Sequence, residues 1–362
     1  MKKLFLLFAL TVGLLASAST AMAQTVNTSR YITLTVTNGA AIKLNFLAAA
    51  EGTPVRIVSG SNTQNITVGT TNWYNSSNPS TFTVTAAAST MTVYGDLTGF
   101  NCSDNGANLT ALDPSHNTQL EYLYCSSNLL TTLDVSHNTQ LDGLGCGNNR
   151  LTTLDVSHNT QLTYFRCRSN QLTSLDVSQN TQLTELDCYY NQISSLDVSK
   201  NTKLKWLVCY DNNFSTQALD DIYCALPDRK GKDNGVIQPV FNSSSLDHAT
   251  VKATNKANAT AKNWKVQYWQ GDIDIPATTG KHKCSTTTDI AEASAEPTLT
   301  LYPNPVADVL YLSATARTVR IYNVYGIEVA HATDTDRVEV SHLPAGIYTV
   351  RADGTVAKMV KR

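Results

Sequence analysis

The 362-residue chain carries 27 basic and 29 acidic side chains, and only 15% of its residues are charged, against about 25% in an average soluble protein. That near-neutral balance, with no basic stripe, excludes nucleic acid as a natural partner. The length exceeds what one ordinary core organises, so the chain should divide into domains.

Lys2 and Lys3 precede the apolar run LFLLFALTVGLLA and then Ala21-Met22-Ala23. A basic start, a short apolar region and small residues at a cleavage position predict a secretory signal peptide over 1–23, leaving Gln24 as the first mature residue. A membrane anchor would want a longer apolar run. No second such run follows, so no transmembrane helix is expected. Residues 24–96 hold RYITLTVTN, IKLNFLAAA, PVRIVSG, QNITVG, TFTVTA and TMTVYGDL. Their Thr/Val alternation predicts antiparallel strands, a β-rich N-terminal cap.

From 97 to 214 the chain repeats itself. Aligned on cysteine, LTGFNCSDN, LEYLYCSSN, LDGLGCGNN, LTYFRCRSN, LTELDCYYN and LKWLVCYDN share L-x-x-[LF]-x-C-x-x-N. The cysteines are Cys102, Cys125, Cys146, Cys167, Cys188 and Cys209, the last five at intervals of 21. A fixed period of this length is the mark of a solenoid, and the pattern resembles the leucine-rich-repeat core with Cys in place of the third Leu. Each coil should supply one short parallel strand. Leu and Cys then point inward and the residues between them outward. A 21-residue coil leaves no room for a full helix on its return side. Six coils spaced about 4.8 Å apart stack over about 25 Å, a short solenoid whose end coils need covers.

The segment 215–284 is the expected C-terminal cap. STQALDDIYCALPD opens on a Ser/Thr cap and places Ala218, Leu219, Ile222 and Leu226 at helical spacing, with Pro227 ending the helix. NWKVQYW follows as a strand-like stretch. A polar linker spans 285–298. Residues 299–362 read as about seven short strands with Pro/Gly turns, a small β-sandwich. The fold class is therefore mainly β, a capped solenoid followed by a separate β module.

Why a cysteine stands in every coil of an exported chain is a question of geometry. Neighbouring in-register strands bring the Cα atoms near enough for a disulfide, but their Cβ bonds run side by side and stay too far apart. Free Cys is a small buried hydrophobe, and a narrow coil wants a smaller inward residue than Leu. A straight row also cannot converge four ligands on zinc. The ladder reads as packing. Cys224 and Cys284 lie outside it and should pair with each other.

Three further rows are periodic. Asn128, Asn149, Asn170, Asn191 and Asn212 end the strands, where an amide can serve the backbone of adjacent coils. Asp113, Asp134, Asp155, Asp176 and Asp197 suit Asx turns better than calcium, since no run of further carboxylates follows. His116, His137 and His158 give way to Gln179 and Lys200 at the same position, which argues for a solvated turn. No metal site and no cofactor is expected. No G-x-S-x-G, H-E-x-x-H, P-loop or dinucleotide fingerprint occurs, and stacked rows do not converge on one atom. An enzyme is not expected.

The outward strand positions vary completely while the inward ones hardly change. Tyr122, Tyr124, Tyr164, Arg166, Arg168, Glu185, Asp187, Tyr189, Trp206 and Tyr210 form the candidate ligand-binding face, rich in residue types favoured at interface hot spots. Gly143, Gly145 and Gly147 predict a shallow notch between aromatic coils. The plain alternative is that these side chains only cover a sheet.

LDVSHNTQLTYFRCRSNQ is similar to the cysteine-ladder repeats of the internalin J type. The N-terminal strands and QALDDIYCALPD resemble repeat proteins of Porphyromonas and related Bacteroidetes. Tyr302-Pro303-Asn304-Pro305, Tyr325-Gly326, Leu343-Pro344-Ala345-Gly346-Ile347-Tyr348 and the terminal Lys358-Met359-Val360-Lys361-Arg362 resemble the type A sorting domain of the type IX (Por) secretion system. That resemblance implies transport across the outer membrane, contact with the type IX machinery, and attachment to the surface or release. The repeats imply adhesion, in biofilm formation or host-cell attachment, through a concave strand face that meets a protein or glycan on another cell surface. The alternative is a secreted soluble binder of a host receptor or glycan that modulates immunity. With six coils and no cell-wall sorting motif, the partner of the Gram-positive relatives does not transfer.

Overall fold

The computed structural model describes residues 25–70, 81–284, 300–323, 328–353 and 355–362. The signal segment, the 285–298 linker and Tyr325-Gly326 of the sorting motif lie outside them. Two compact units divide the chain after Cys284.

The first unit opens with β1 (Tyr31–Val36), β2 (Ala41–Leu47), β3 (Thr53–Ser59), β4 (Asn62–Val68), β5 (Phe82–Thr85) and β6 (Thr90–Tyr94). Their alternation buries one face, as in β3, where every second residue is inside. The coil strands follow: β7 (Gly99–Asn101), β9 (Tyr122–Tyr124), β10 (Gly143–Gly145), β11 (Tyr164–Arg166), β12 (Glu185–Asp187) and β13 (Trp206–Val208), with β8 (Leu109–Asp113) between the first two. The coil strands pair in parallel and in register, Leu123 with Leu144, Leu144 with Phe165, and onward to Leu207.

The covers continue this sheet instead of merely capping it. On one side β2 runs antiparallel against β7, and β5 against β2. β8 lies on the return side of the first coil, yet it pairs with β1 in a five-stranded sheet ordered β4-β3-β6-β1-β8. On the other side β14 (Gly235–Val240) and β15 (Trp264–Tyr268) extend the parallel ladder by two strands. NWKVQYW was legible as β15. β14 was not, because Pro239 argues against a strand interior; it sits where the register with β15 shifts, between Ile237 and Val240. Before β14 comes α1 (Thr216–Ala225), capped by Ser215 Oγ accepting from Ala218 N at 3.1 Å, and between β14 and β15 lie the short α2 (His248–Lys252) and α3 (Ala257–Thr260). Cys224 of α1 is bonded to Cys284, with Cα atoms 5.3 Å apart. Closing a loop with a sequence separation of 60 is worth about 4 kcal/mol in the chain-entropy account.

Inside each coil, Leu, Leu or Phe, and Cys fill the sheet side, and all six ladder thiols are free and fully buried. Burial pushes these thiols up, Cys146 to about 12. The strand-ending asparagines do the joining. Asn149 donates through Nδ2 to the carbonyls of Cys146 and Cys125 at 3.0 Å each, and its Oδ1 accepts from Leu130 N at 3.0 Å. Asn170 and Asn191 repeat this one and two coils further on. A second asparagine row, unread in the sequence, stands on the return side. Asn138 donates to the Pro114 and Asn117 carbonyls at 3.0 and 2.9 Å, and Asn159, Asn180 and Asn201 do likewise with their own neighbours. The Asn-Thr pair that recurs at 117, 138, 159, 180 and 201 was its signal.

The residue before each strand-ending asparagine takes a positive φ: Asp104, Ser127, Asn148, Ser169, Tyr190 and Asp211. Small polar residues tolerate this left-handed geometry; a tyrosine at φ 52° does so at a cost of about 1–2 kcal/mol.

The second unit is all-β. β16 (Leu301–Tyr302), β17 (Val309–Tyr322), β18 (Glu328–Glu339), β19 (Gly346–Ala352) and β20 (Thr355–Lys361) form one antiparallel sheet. Among the described residues five strands stand where seven or so were expected. The polar SATART stretch runs on inside β17, largely exposed and with its register to β18 shifted between Tyr311 and Ala316. The sheet curls because Val306 bridges in parallel to Lys361 of β20. Asn304 completes that closure, donating to Lys358 O and accepting from Val360 N at 2.8 Å each. Pro303 and Pro305 flank it. Pro344 O receives the Tyr348 hydroxyl at 2.8 Å, two residues before and after Gly346, where β19 begins.

Two outcomes test this picture. A thiol reagent should label none of the six ladder cysteines in the native chain, six after unfolding, and all eight after unfolding with reduction; native labelling would show the ladder open to solvent. Tyr190→Asn should leave stability within about 1 kcal/mol of the parent, relief of backbone strain offsetting lost ring contacts. Tyr210→Ala, in the same aromatic cluster but 2% exposed, should cost about 3–5 kcal/mol. Chemical denaturation of the first unit measures both, and a comparable loss at the two positions would make Tyr190 a packing residue.

Candidate interaction face

Alternation along three-residue strands sends two side chains per coil outward, and in-register parallel pairing stacks them into rows across the sheet. The candidate residues therefore do lie on one face, but not in one state. At the coils of β9 and β10 the expected notch is filled. A Cβ on Gly143 would stand 2.9 Å from the Tyr122 ring, and one on Gly145 only 2.6 Å from the Tyr124 ring. On Gly147 it would meet Arg168 Cγ at 2.8 Å. The three glycines are buried beneath these side chains. They give large neighbours somewhere to lie, and leave no slot for a ligand. Tyr122 is further fixed by donating to Asp142 Oδ2 at 3.0 Å; burial and this bond push its hydroxyl up to about 12.

The middle of the face is a charge lattice. Arg166 reaches Glu185 at 3.7 Å and Asp187 at 3.5 Å, and Lys205 reaches Glu185 at 3.9 Å. Such part-exposed pairs contribute about 0–1 kcal/mol each, so they set the pattern of charge more than the stability. Burial raises the Asp187 carboxyl above its usual range, against the opposing pull of Arg166 and Arg168. Beside this lattice Tyr164 stands 39% exposed.

Toward the C-terminal cover the face becomes aromatic. Tyr189 and Tyr210 stack with centroids 4.5 Å apart, and Phe241 and Trp269 stack at 5.3 Å against them. Arg168 donates to the Tyr189 hydroxyl at 2.5 Å and holds its guanidinium 5.5 Å from that ring's centre. Tyr189 and Tyr210, read as open face residues, are thus 7% and 2% exposed, covered by loops that the repeat pattern does not describe. Trp206 is half-buried against the same cluster. What the sequence reading missed is Tyr190 and Trp269, 48% and 41% exposed. Tyr190 was findable: it occupies the left-handed turn position that holds Asp, Ser or Asn in the other five coils.

The return-side carboxylates are occupied locally. Asp134, Asp155 and Asp176 each accept from the backbone N–H two residues on, at 2.8–2.9 Å, and these bonds with the serines hold them below the usual carboxylate range. Asp113 and Asp197 make the same turn bond. His116 stacks on Tyr31 at 4.2 Å. Among the described residues no group of three or more His, Cys, Asp or Glu is placed to hold a metal. The strand side is a broad mixed surface of rings and paired charges, suited to contact with another macromolecule.

Residues 300–362 match the family described as "Secretion system C-terminal sorting domain". Among solved structures, the functional domain of InlJ from Listeria monocytogenes, which includes a cysteine ladder, aligns at 22% identity over 74% of this chain and 67% of its own, with a TM-score of 0.34. The internalin InlF of the same organism aligns at 16% identity over 47% of this chain and 60% of its own, with a TM-score of 0.32. The chain thus spans about two thirds or less of the length of these structures. No curated protein matches it. Among the described residues no helix is long and apolar enough to cross a membrane. The sorting domain makes this an exported protein, attached to the cell surface or released. The chain is an exported protein in which a solenoid of in-register parallel coils is followed by a secretion system C-terminal sorting domain at residues 300–362.

Proposed function

We propose that this protein is a surface-attached adhesin, active in biofilm formation or host-cell attachment, that engages its partner through the strand face around Tyr164, Arg166 and Glu185. One observation carries the reading. The scaffold positions of successive coils are nearly invariant, while the outward positions change from Tyr122 to Gly143, Tyr164, Glu185 and Trp206 along a single row. Close packing accounts for Gly143 beneath the Tyr122 ring, but it does not call for the exposed ring of Tyr164. A rigid, hydrogen-bonded platform loses little entropy on binding, which suits recognition by surface and not catalysis. The sorting domain supports delivery to a place where such a face meets other cells. Release as a soluble binder remains the other fate, and surface retention separates the two.

The test compares cells displaying the intact protein with cells displaying Tyr164→Ala, Arg166→Ala together at matched surface level. Removal of both should reduce attachment, to a surface or to host cells, by about tenfold or more, the scale of a hot-spot pair. Unchanged attachment in both assays would reduce the middle of this face to a covered sheet.

A further inference from the structure

We propose that the aromatic end of the face, around Tyr190 and Trp269, is a docking patch for a protein segment bearing lysine or arginine alternating with apolar residues. The inference rests on the reading of the strand side as a partner-binding surface and names the chemistry of the partner. Large exposed apolar side chains in the described part of the first unit are Tyr164, Tyr190, Leu246, Trp269 and Ile273. All but Tyr164 belong to this end, on the turn of Tyr190 and on the loops following β14 and β15. Leu246 is wholly exposed and Ile273 62% exposed, an outlay of apolar surface that soluble chains tend to avoid unless it is used.

Charge selects the occupant. Asp211, Asp247 and Asp272 rim the patch. Asp211 follows the stacked Tyr210, and its N–H bonds Asp247 Oδ2 at 3.3 Å. Asp272, between Trp269 and Ile273, accepts from Gln238 Nε2 at 2.7 Å. None of the three is in an ion pair among the described residues, and Asp247 Oδ1 is buried without a hydrogen-bond partner. A neutral ligand would strip water from these carboxylates and return no charge. A cation returns it, and also finds the faces of a Trp and a Tyr. The same aromatic cluster already receives a cation in this way, the protein's own Arg168 over Tyr189. A small free cation would leave Leu246 and Ile273 uncovered, whereas a peptide segment reaches them with its apolar residues.

Backbone strain points the same way. The chain holds a tyrosine at φ 52° at a turn where its other coils place Asp, Ser or Asn, and strained positions gather at functional sites.

The experiment measures binding of a fluorescent peptide of repeating lysine-glycine-leucine-glycine to the purified full chain. The controls are the same peptide with every lysine acetylated and a neutral chitin oligosaccharide. The variant is Tyr190→Asn with Trp269→Ala; its asparagine is the residue that the coil of Asn148 uses at that turn, and circular dichroism verifies its fold. Affinity for the lysine peptide should fall about tenfold or more on acetylation and again in the variant, the combined scale of two cation–π contacts. Equal affinity for the acetylated peptide, or for the variant, overturns the proposal. So does binding of the oligosaccharide alone, if the variant abolishes it. The two readings fail separately: peptide binding without loss of adhesion in the Tyr164→Ala, Arg166→Ala cells sinks the mid-face reading, and lost adhesion without peptide binding sinks the patch.

Discussion

Each coil of this solenoid hands its backbone to the next through buried asparagine amides, and the rest of the first unit depends on that transfer. A coil with no room for a helix cannot satisfy its own turn carbonyls and N–H groups. Asn149 does so for two coils at once, with two donated bonds and one accepted. Each such bond is worth only about 1 kcal/mol net, but leaving a buried partner unmade costs about 1–3 kcal/mol. The amide is therefore hard to replace, and its repetition fixes the repeat length. The return-side row from Asn138 to Asn201 adds a second seam that only donates, each amide bonding two carbonyls through Nδ2 while its Oδ1 is buried with no hydrogen-bond partner among the described residues.

The seam explains what may vary. Its geometry demands Asn at the strand end, a left-handed residue just before it, and a slim inward side chain, which cysteine supplies while burial keeps its thiol protonated. Outward side chains enter none of these bonds. They are free to change, and they do so in blocks: glycines under Tyr122 and Tyr124, an ion-pair lattice around Arg166, then stacked rings at the C-terminal cover. The blocks follow from nearest-neighbour contact along rows, since a large residue on one coil needs a small or complementary one on the next. Gly145 exists for the Tyr124 ring, not for a ligand.

Legibility followed the same division. The coil strands, the inward Leu and Cys, α1 and the Asx-bonded aspartates could be read because periodicity reports any position that a repeating constraint holds. The second asparagine row was present in the same alignment but lacks a hydrophobic signature. β14 was hidden by Pro239, and β17 by a polar stretch that an exposed part of a curled sheet accepts. The burial of Tyr189 and Tyr210 could not be read at all. It depends on Phe241 and Trp269, which come from loops beyond the repeats and reach the face only once β14 and β15 have extended the sheet.

That extension also decides where the exposed apolar surface falls. A solenoid end must be covered, and β14, β15 and α1 cover this one by continuing its sheet and core, so Trp264, Val266 and Ile237 are buried in line with the coil interior. The loops that carry Phe241, Leu246, Trp269 and Ile273 are not needed for that closure. They bring Phe241 and Trp269 against Tyr210 instead, burying two rings while Leu246, Trp269 and Ile273 stay exposed. Covering the rings alone would call for no more than Phe241 and the inner edge of Trp269. The apolar side chains left outside, beside carboxylates that form no ion pair among the described residues, are where the demands of folding end and those of recognition begin.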